Sequence, residues 1–196
     1  MKLPTTGTPR EELLSQMRTS CSGDADWRGG RIWSLVYFAG DDVAEVLKDA
    51  YSMFFFTNGL GPMAFRSLKK LESEVVAMTA GILGCPDAAG NMTSGGTESI
   101  LMAVKTARDW AQAERPSVTA PEMVLPVTAH PAFDKAGHYL GVTPVHTPVS
   151  GDLRADVDAA RAALTDNTIL IVGSAPCYPF GVIDPHPSLT ALAANV

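Results

Sequence analysis

The chain has 196 residues, of which 46% are hydrophobic and 18% are charged, a composition that excludes a disordered tail or a low-complexity polymer. Fifteen basic residues stand against 21 acidic ones, which gives a formal net charge of −6 at pH 7. Because an acidic chain has no positive field to attract nucleic acid or anionic lipid, neither is expected as a partner.

The sequence carries no sign of membrane insertion or export. Its apolar runs, such as residues 53–56 and 169–172, are far shorter than the roughly 20 residues that a membrane span needs. The first seven residues lack the apolar segment of a secretory signal. Cys21, Cys85 and Cys177 are an odd number at wide spacing, which favours neither a disulfide framework nor a metal site. We therefore expect a cytoplasmic protein without a metal.

The first third of the sequence predicts a helical arm. Residues 8–11 read as a capping box with proline at the first helical position, and the helix that follows ends near Ser20. Asp41 or Asp42 can cap a second helix, which residues 54–63 interrupt. Apolar residues three and four positions apart predict a third helix over residues 67–83, with Gly84 just past its end. We expect residues 1–65 to form this arm and an interface segment.

The remainder alternates helical and β-rich stretches, which is typical of an α/β fold with a parallel sheet and helices on both faces. Helices are predicted over residues 97–113, 132–140 and 155–164, and strands over residues 123–127, 142–147 and 168–173. We expect residues 66–196 to form the first, incomplete part of a cofactor-binding α/β domain, because the sequence stops soon after a further helix has begun.

The most informative motif is the pair of glycines at residues 95–96, which leads through Thr97 directly into an amphipathic helix. Glycines let a ligand approach the backbone closely, and the free N–H groups at a helix start attract anions, so a phosphate group would fit there. The alternative is a tight turn with an ordinary helix cap. The spacing matches neither a dinucleotide-binding nor a nucleoside-triphosphate motif.

Two further candidates follow predicted strands. His130 comes after the first strand, where ligands of open α/β sheets bind, and its ring can stack on a flat ligand or exchange protons. Ser174 follows the third strand among small residues and can donate a hydrogen bond from its hydroxyl. The alternatives are a structural histidine and a proline-rich turn.

A phosphate site at residues 95–97, a ring-stacking residue at His130 and the small residues around Ser174 would together suit a phosphorylated aromatic aldehyde. The sequence resembles the pyridoxal-phosphate-dependent decarboxylase superfamily of fold type I, and within it most closely the lyases of phosphorylated sphingoid bases. Residues 93–103, 130–136 and 181–185 carry this likeness, with weaker matches at residues 29–37 and 58–68. It extends over nearly the whole chain.

The resemblance implies pyridoxal 5′-phosphate as cofactor and a role for each matching residue. Gly96 and Thr97 match the residues that hold the cofactor phosphate, His130 matches the histidine stacked over the pyridine ring, and Ser174 matches a hydroxyl position near that ring. Asn58 falls in a segment that lines the substrate entrance, often from the neighbouring subunit. The resemblance also implies a homodimer, and the aromatic run at residues 54–56 beside a glycine-rich segment supports an exposed contact surface. The alternative is that these phenylalanines close the core of the arm.

The sequence also departs from the family pattern. The Schiff-base lysine and the aspartate that pairs with the pyridine nitrogen lie, in this family, beyond the end of this chain. Lys105 and Lys135 match other positions and are not assigned that role. Gly61 stands where these lyases commonly carry a histidine, which weakens the expected site for a substrate phosphate.

The resemblance therefore implies that the full-length parent enzyme is a carbon–carbon lyase that cleaves a phosphorylated sphingoid base, or a similar β-hydroxy amine, to an aldehyde and a phosphoethanolamine-type product. It assigns no activity to the 196-residue chain alone. A decarboxylase acting on an amino acid is the first alternative, because the same cofactor supports cleavage of either bond. A catalytically dead fragment or a cofactor-binding module without the lysine is the second.

Overall fold

The computed structural model describes residues 3–32 and 36–194 and divides into two compact units, Met1–Val75 and Val76–Val196. The first unit contains helix α1 (Arg10–Ser20), a short 3-10 turn (Cys21–Gly23) and helix α2 (Asp41–Phe54). Helix α3 (Arg66–Ile82) begins in the first unit and ends in the second. Part of the weaker family match at residues 29–37, namely residues 33–35, lies outside the described residues.

The predicted helices of the arm are confirmed, but their predicted caps are wrong. The first helical hydrogen bond of α1 runs from the Leu13 N–H to the Pro9 carbonyl, so Pro9 is the capping position and Thr8 lies one residue too early. In α2 the cap is Gly40, whose φ of 119° favours glycine, while Asp41 and Asp42 lie in the first turn. None of these side chains makes a capping hydrogen bond.

The second unit alternates helices and strands as the sequence predicts. In chain order its elements are α4 (Gly96–Glu114), β1 (Glu122–Pro126), α5 (Ala132–Leu140), β2 (Thr143–Thr147), α6 (Val157–Ala162), β3 (Thr168–Ile171) and α7 (His186–Ala193). Helix α6 begins later than the predicted residue 155 because Asp156 caps it, accepting the N–H groups of Asp158 and Ala159 at 3.0 Å each, and it ends at Ala162 instead of residue 164.

The three strands form one parallel sheet in the order β2-β1-β3. Successive side chains of β1 point to opposite faces, so this central strand contributes to two hydrophobic clusters. Met123 and Leu125 pack with Val104 of α4 and Ala136 of α5, whereas Val124 packs with α6 and α7. Helices therefore cover both faces, and the carboxyl ends of all three strands lie along one edge of the sheet.

Candidate functional site

The start of α4 presents unused backbone donors to open space. Its first helical hydrogen bond joins the Ser99 N–H to the Gly95 carbonyl at 3.1 Å. Within residues 3–32 and 36–194, no acceptor is found for the N–H groups of Gly96, Thr97 and Glu98, or for the Thr97 hydroxyl. A Cβ atom added to Gly96 would meet nothing within 4 Å. This helix end can therefore receive an anion from solvent.

The loop before α4 is closed by its own side chains. The Ser94 hydroxyl and N–H both donate to the Glu98 carboxylate at 2.6 Å. These two hydrogen bonds, of which the one from the hydroxyl has the larger effect, hold the pKa of Glu98 below its usual range. The hydroxyls of Thr93 and Ser99 are 2.7 Å apart, and Thr93 also donates to the Gly95 carbonyl. Because Glu98 folds back onto Ser94, its carboxylate does not occupy the amides at the helix start.

His130 follows β1 and is exposed, with one ring nitrogen already committed. Its Nδ1 atom accepts the Ala132 N–H at 3.1 Å. In the neutral ring this leaves the proton on Nε2, which is then a donor. The Tyr178 ring lies beside it, with centroids 5.1 Å apart and planes inclined by 59°. Sequence reasoning missed Tyr178; its only signal is an aromatic residue in the turn after a small-residue strand end.

Ser174 follows β3 and is held by Asp184, a second residue whose role sequence reasoning missed. The Ser174 N–H donates to Asp184 Oδ2 at 2.7 Å, and the Asp184 N–H donates to the Ser174 carbonyl at 3.0 Å. Asp184 is only 3% exposed. Its appearance in the family motif was the only signal in the sequence.

The ends of β1 and β3 are joined at the same edge of the sheet. Buried Cys177, in the segment after β3, lies with its Sγ atom 3.5 Å from the Thr128 carbonyl in the segment after β1. Ile100 of α4 and Ala129 pack on the cluster that also contains Val172. The segments that carry Gly96, His130 and Ser174 therefore each adjoin residues that pack in the same hydrophobic cluster.

The other predicted residues have partners within their own units. In the first unit Asn58 is exposed, and its Oδ1 atom accepts the Leu60 N–H at 3.1 Å within a turn. Lys105 is paired with Asp109, and the Lys135 ammonium lies 5.6 Å from the centre of the Tyr139 ring. Both lysines are thus engaged on helix surfaces.

Searches for other kinds of site give negative findings for the described part of the chain. No group of three or more His, Cys, Asp or Glu side chains in it could hold a metal ion. None of its helices combines the length and the apolar character needed to cross a bilayer.

Comparison with known proteins gives a consistent result, although no protein-family model matches the chain. The chain is 41% identical to the sphingosine-1-phosphate lyase of Oryza sativa subsp. japonica over 203 residues and 44% identical to that of Arabidopsis thaliana over 193 residues. These matches cover 99% and 94% of this chain but 37% and 35% of those proteins. A probable L-aspartate decarboxylase of Pyrococcus furiosus is 34% identical over 195 residues, which are all of this chain and 50% of that protein.

Solved structures agree. The sphingosine-1-phosphate lyase of Burkholderia pseudomallei matches with a TM-score of 0.89 and 36% identity over all of this chain and 47% of that one. A glutamate decarboxylase of Lactobacillus brevis matches with a TM-score of 0.80 and 20% identity, covering 46% of its own chain. The fold is thus the fold type I of pyridoxal-phosphate enzymes. The chain spans little more than a third of the length of the sphingosine-1-phosphate lyases of the two plants.

Proposed function

Starting from the relationship of this chain to the sphingosine-1-phosphate lyases, within the pyridoxal-phosphate-dependent decarboxylase superfamily, we propose that it supplies the cofactor-phosphate side of a lyase active site. The enzyme cleaves a phosphorylated sphingoid base, or a similar β-hydroxy amine, to an aldehyde and a phosphoethanolamine-type product. The observation that carries this proposal is identity of 41% and 44% to two plant lyases over at least 94% of the chain.

Pyridoxal 5′-phosphate fits the residues at the carboxyl edge of the sheet. Its phosphate would be held by the open N–H groups of Gly96 and Thr97, to which the Thr97 hydroxyl adds a further donor. The exposed ring of His130 would stack on the pyridine ring, and the Ser174 hydroxyl would bind a ring substituent. When bound, this cofactor supplies an electron sink for bond cleavage at the substrate Cα atom.

The chain's own residues would bind and orient the reacting molecules. The Nε2–H of His130 can donate a hydrogen bond toward the reacting atoms, because Nδ1 is occupied by the Ala132 N–H. Asn58, which belongs to the arm and interface segment of residues 1–65, would line the substrate entrance. Because Gly61 stands where related lyases commonly carry a histidine, no imidazole at that position would bind the substrate phosphate. Residues 66–196 would form part of the cofactor-binding domain. The whole enzyme would be a homodimer and would act in the cytoplasm.

The lysine that binds the cofactor covalently would come from a part of the enzyme outside this chain. Lys105 and Lys135 are engaged by Asp109 and by the Tyr139 ring. The chain should therefore bind pyridoxal phosphate only reversibly, with an affinity of about micromolar or weaker. Borohydride reduction followed by mass spectrometry should find no pyridoxyl group on either lysine. A stoichiometric adduct on Lys105 or Lys135 would refute this assignment.

The activity is tested on the polypeptide of the whole open reading frame that encodes this chain. The frame should encode an aspartate-bearing strand and a His-Lys pair after Val196, and the purified protein should release a long-chain aldehyde from a phosphorylated sphingoid base. An open reading frame without such a lysine would favour the alternative that the protein is a catalytically inactive cofactor-binding module.

A decarboxylase remains the second candidate, favoured by the 34% identity to the probable L-aspartate decarboxylase. The same protein should then release carbon dioxide from an amino acid and leave the sphingoid base intact. Assaying both substrates side by side separates the two reactions.

A further inference from the structure

Asp184 is a buried carboxylate whose two oxygens bind two different segments of the second unit. Oδ2 accepts the Ser174 N–H at 2.7 Å, and Oδ1 accepts the Ala155 N–H at 2.8 Å. In the part of the chain that the structure describes, Asp184 forms no ion pair. A buried carboxylate without a cation is costly, so its hydrogen bonds must offset the loss of water.

Asp184 pairs with both backbone polar groups of Ser174. The Asp184 N–H returns a hydrogen bond to the Ser174 carbonyl at 3.0 Å, so both backbone polar groups of Ser174 are paired with one residue. The hydroxyl is the remaining polar group of Ser174, and it has no hydrogen-bond partner among the residues described. A fixed backbone limits the directions in which that hydroxyl can point.

Helix α7 restrains the same segment by packing. A Cβ atom added to Gly173 would lie 2.9 Å from Leu189 Cδ1 and 3.1 Å from His186 Cε1. The chain just before Ser174 therefore runs close against α7, while Asp184 ties Ser174 to the turn before α6. The segment after β3 cannot shift without breaking one of these contacts.

We propose that Asp184 is a positioning residue of the cofactor site, which acts through Ser174 by fixing the hydroxyl against the cofactor ring. This inference rests on the proposed function. Each oxygen of Asp184 accepts a different N–H group, so both oxygens must be acceptors, as they are in a carboxylate. An amide of the same size turns its NH2 group toward one of these donors.

The test compares Asp184→Asn with the wild type in the whole polypeptide, using pyridoxal phosphate binding and hydrogen exchange of the Ser174 amide. We expect faster exchange at Ser174 and about tenfold weaker binding, because the net contribution of one hydrogen bond corresponds to about that factor in an equilibrium constant. Asp156→Asn is the control for charge, because one oxygen of Asp156 accepts both N–H groups and an amide can replace it. Arg115→Ala is the control for stability, because Arg115 binds the carbonyls of Asp166 and Thr168 around the amino end of β3.

A double-mutant cycle separates positioning from general loss of structure. Ser174→Ala should itself weaken binding, and Asp184→Asn should add little to it, because the two act on one hydroxyl. The inference is overturned if Ser174→Ala binds as the wild type does, if the two effects add, or if Arg115→Ala weakens binding equally. If Asp184→Asn does not fold, Asp184→Glu replaces it in the same cycle, because it keeps both carboxylate oxygens but displaces them from the Ser174 and Ala155 N–H groups. Failure of the wild type to bind the cofactor would instead refute the proposed function and the inference with it.

Discussion

The residues at the site differ in how far their polar atoms are already committed inside the chain. The Ser174 backbone and His130 Nδ1 are occupied, while the Thr97 hydroxyl and the first amides of α4 have no partner in the described ranges. Groups that are already hydrogen-bonded fix the orientation of their residue, and groups without a partner are available to bind a ligand. The two kinds of residue should therefore respond differently to mutation.

Thr97→Ala should weaken pyridoxal phosphate binding by about 1.5–3 kcal/mol, the usual cost of losing a hydrogen bond to a charged group. Ser99→Ala is the control and should have a much smaller effect, because the Ser99 hydroxyl is paired with Thr93 within the loop. Fluorescence titration of the whole polypeptide measures both. Equal losses would mean that the helix start does not hold the phosphate.

Tyr178→Ala should weaken cofactor binding by about 0.5–1.5 kcal/mol, because the tyrosine ring packs beside His130 with centroids 5.1 Å apart. Tyr178→Phe keeps the ring and should bind as the wild type does. The same titration checks both variants. Unchanged affinity in Tyr178→Ala would show that His130 holds its orientation through the Ala132 N–H alone.

The sequence could indicate Gly96, Thr97, His130 and Ser174, because glycine pairs and strand ends are local patterns. It could not indicate what Asp184 does, because its partner Ala155 is 29 positions away and only the folded chain brings them together. Tyr178 was missed for a similar reason, since its contact with His130 spans two strand ends. Short-range sequence patterns can therefore predict which residues lie at the site, but only the folded structure shows which residues they contact.

Among the elements, α3 with its terminal glycine and the sheet were predictable, and the N-terminal caps of α1 and α2 were not. Helix α3 has a regular apolar period, and Gly84 past its end has a φ of 72°, as a glycine that ends a helix does. At α1 the cap depends on which carbonyl accepts the first helical bond, and a shift of one residue moves the cap from Thr8 to Pro9. Such a shift lies within the fraying of any helix end.

Helix α5 contains a glycine that alanine can replace only with strain, although alanine is the better helix former. A Cβ atom on Gly137 would lie 2.5 Å from the Val142 carbonyl oxygen, which is backbone and cannot rotate away. Gly137→Ala should therefore lower the free energy of unfolding by about 1–3 kcal/mol.

Urea denaturation measures the effect of Gly137→Ala against Gly151→Ala, whose added Cβ atom meets nothing within 4 Å. The control should stay within about 0.5 kcal/mol of the wild type. A stable Gly137→Ala variant would mean that α5 can move away from the sheet.

For the whole molecule, the exposed aromatic residues after α2 support the proposed homodimer. Phe55 is 60% exposed and Phe56 is 88% exposed, so these two rings do not close the core of the first unit. Exposed apolar surface of this kind commonly marks a contact between subunits.

Phe55→Asp should convert the dimer to a monomer, because a carboxylate in an apolar interface loses its water without gaining a partner. Light scattering on the whole polypeptide measures the mass, and Leu3→Asp, at a residue 92% exposed outside the helices, is the control. A monomeric wild type, or a dimeric Phe55→Asp variant with its cofactor retained, would refute this surface as the interface.

The central place of β1 has a consequence during synthesis. Both neighbours of β1 come later in the chain, and β3 begins 42 positions after β1 ends. At about 5–20 residues per second, a ribosome needs about 2–8 s to make that stretch. For this interval the backbone N–H and C=O groups on one edge of this apolar strand have no neighbour to pair with. The nascent chain therefore offers a chaperone-binding or aggregation-prone segment that the finished sheet hides.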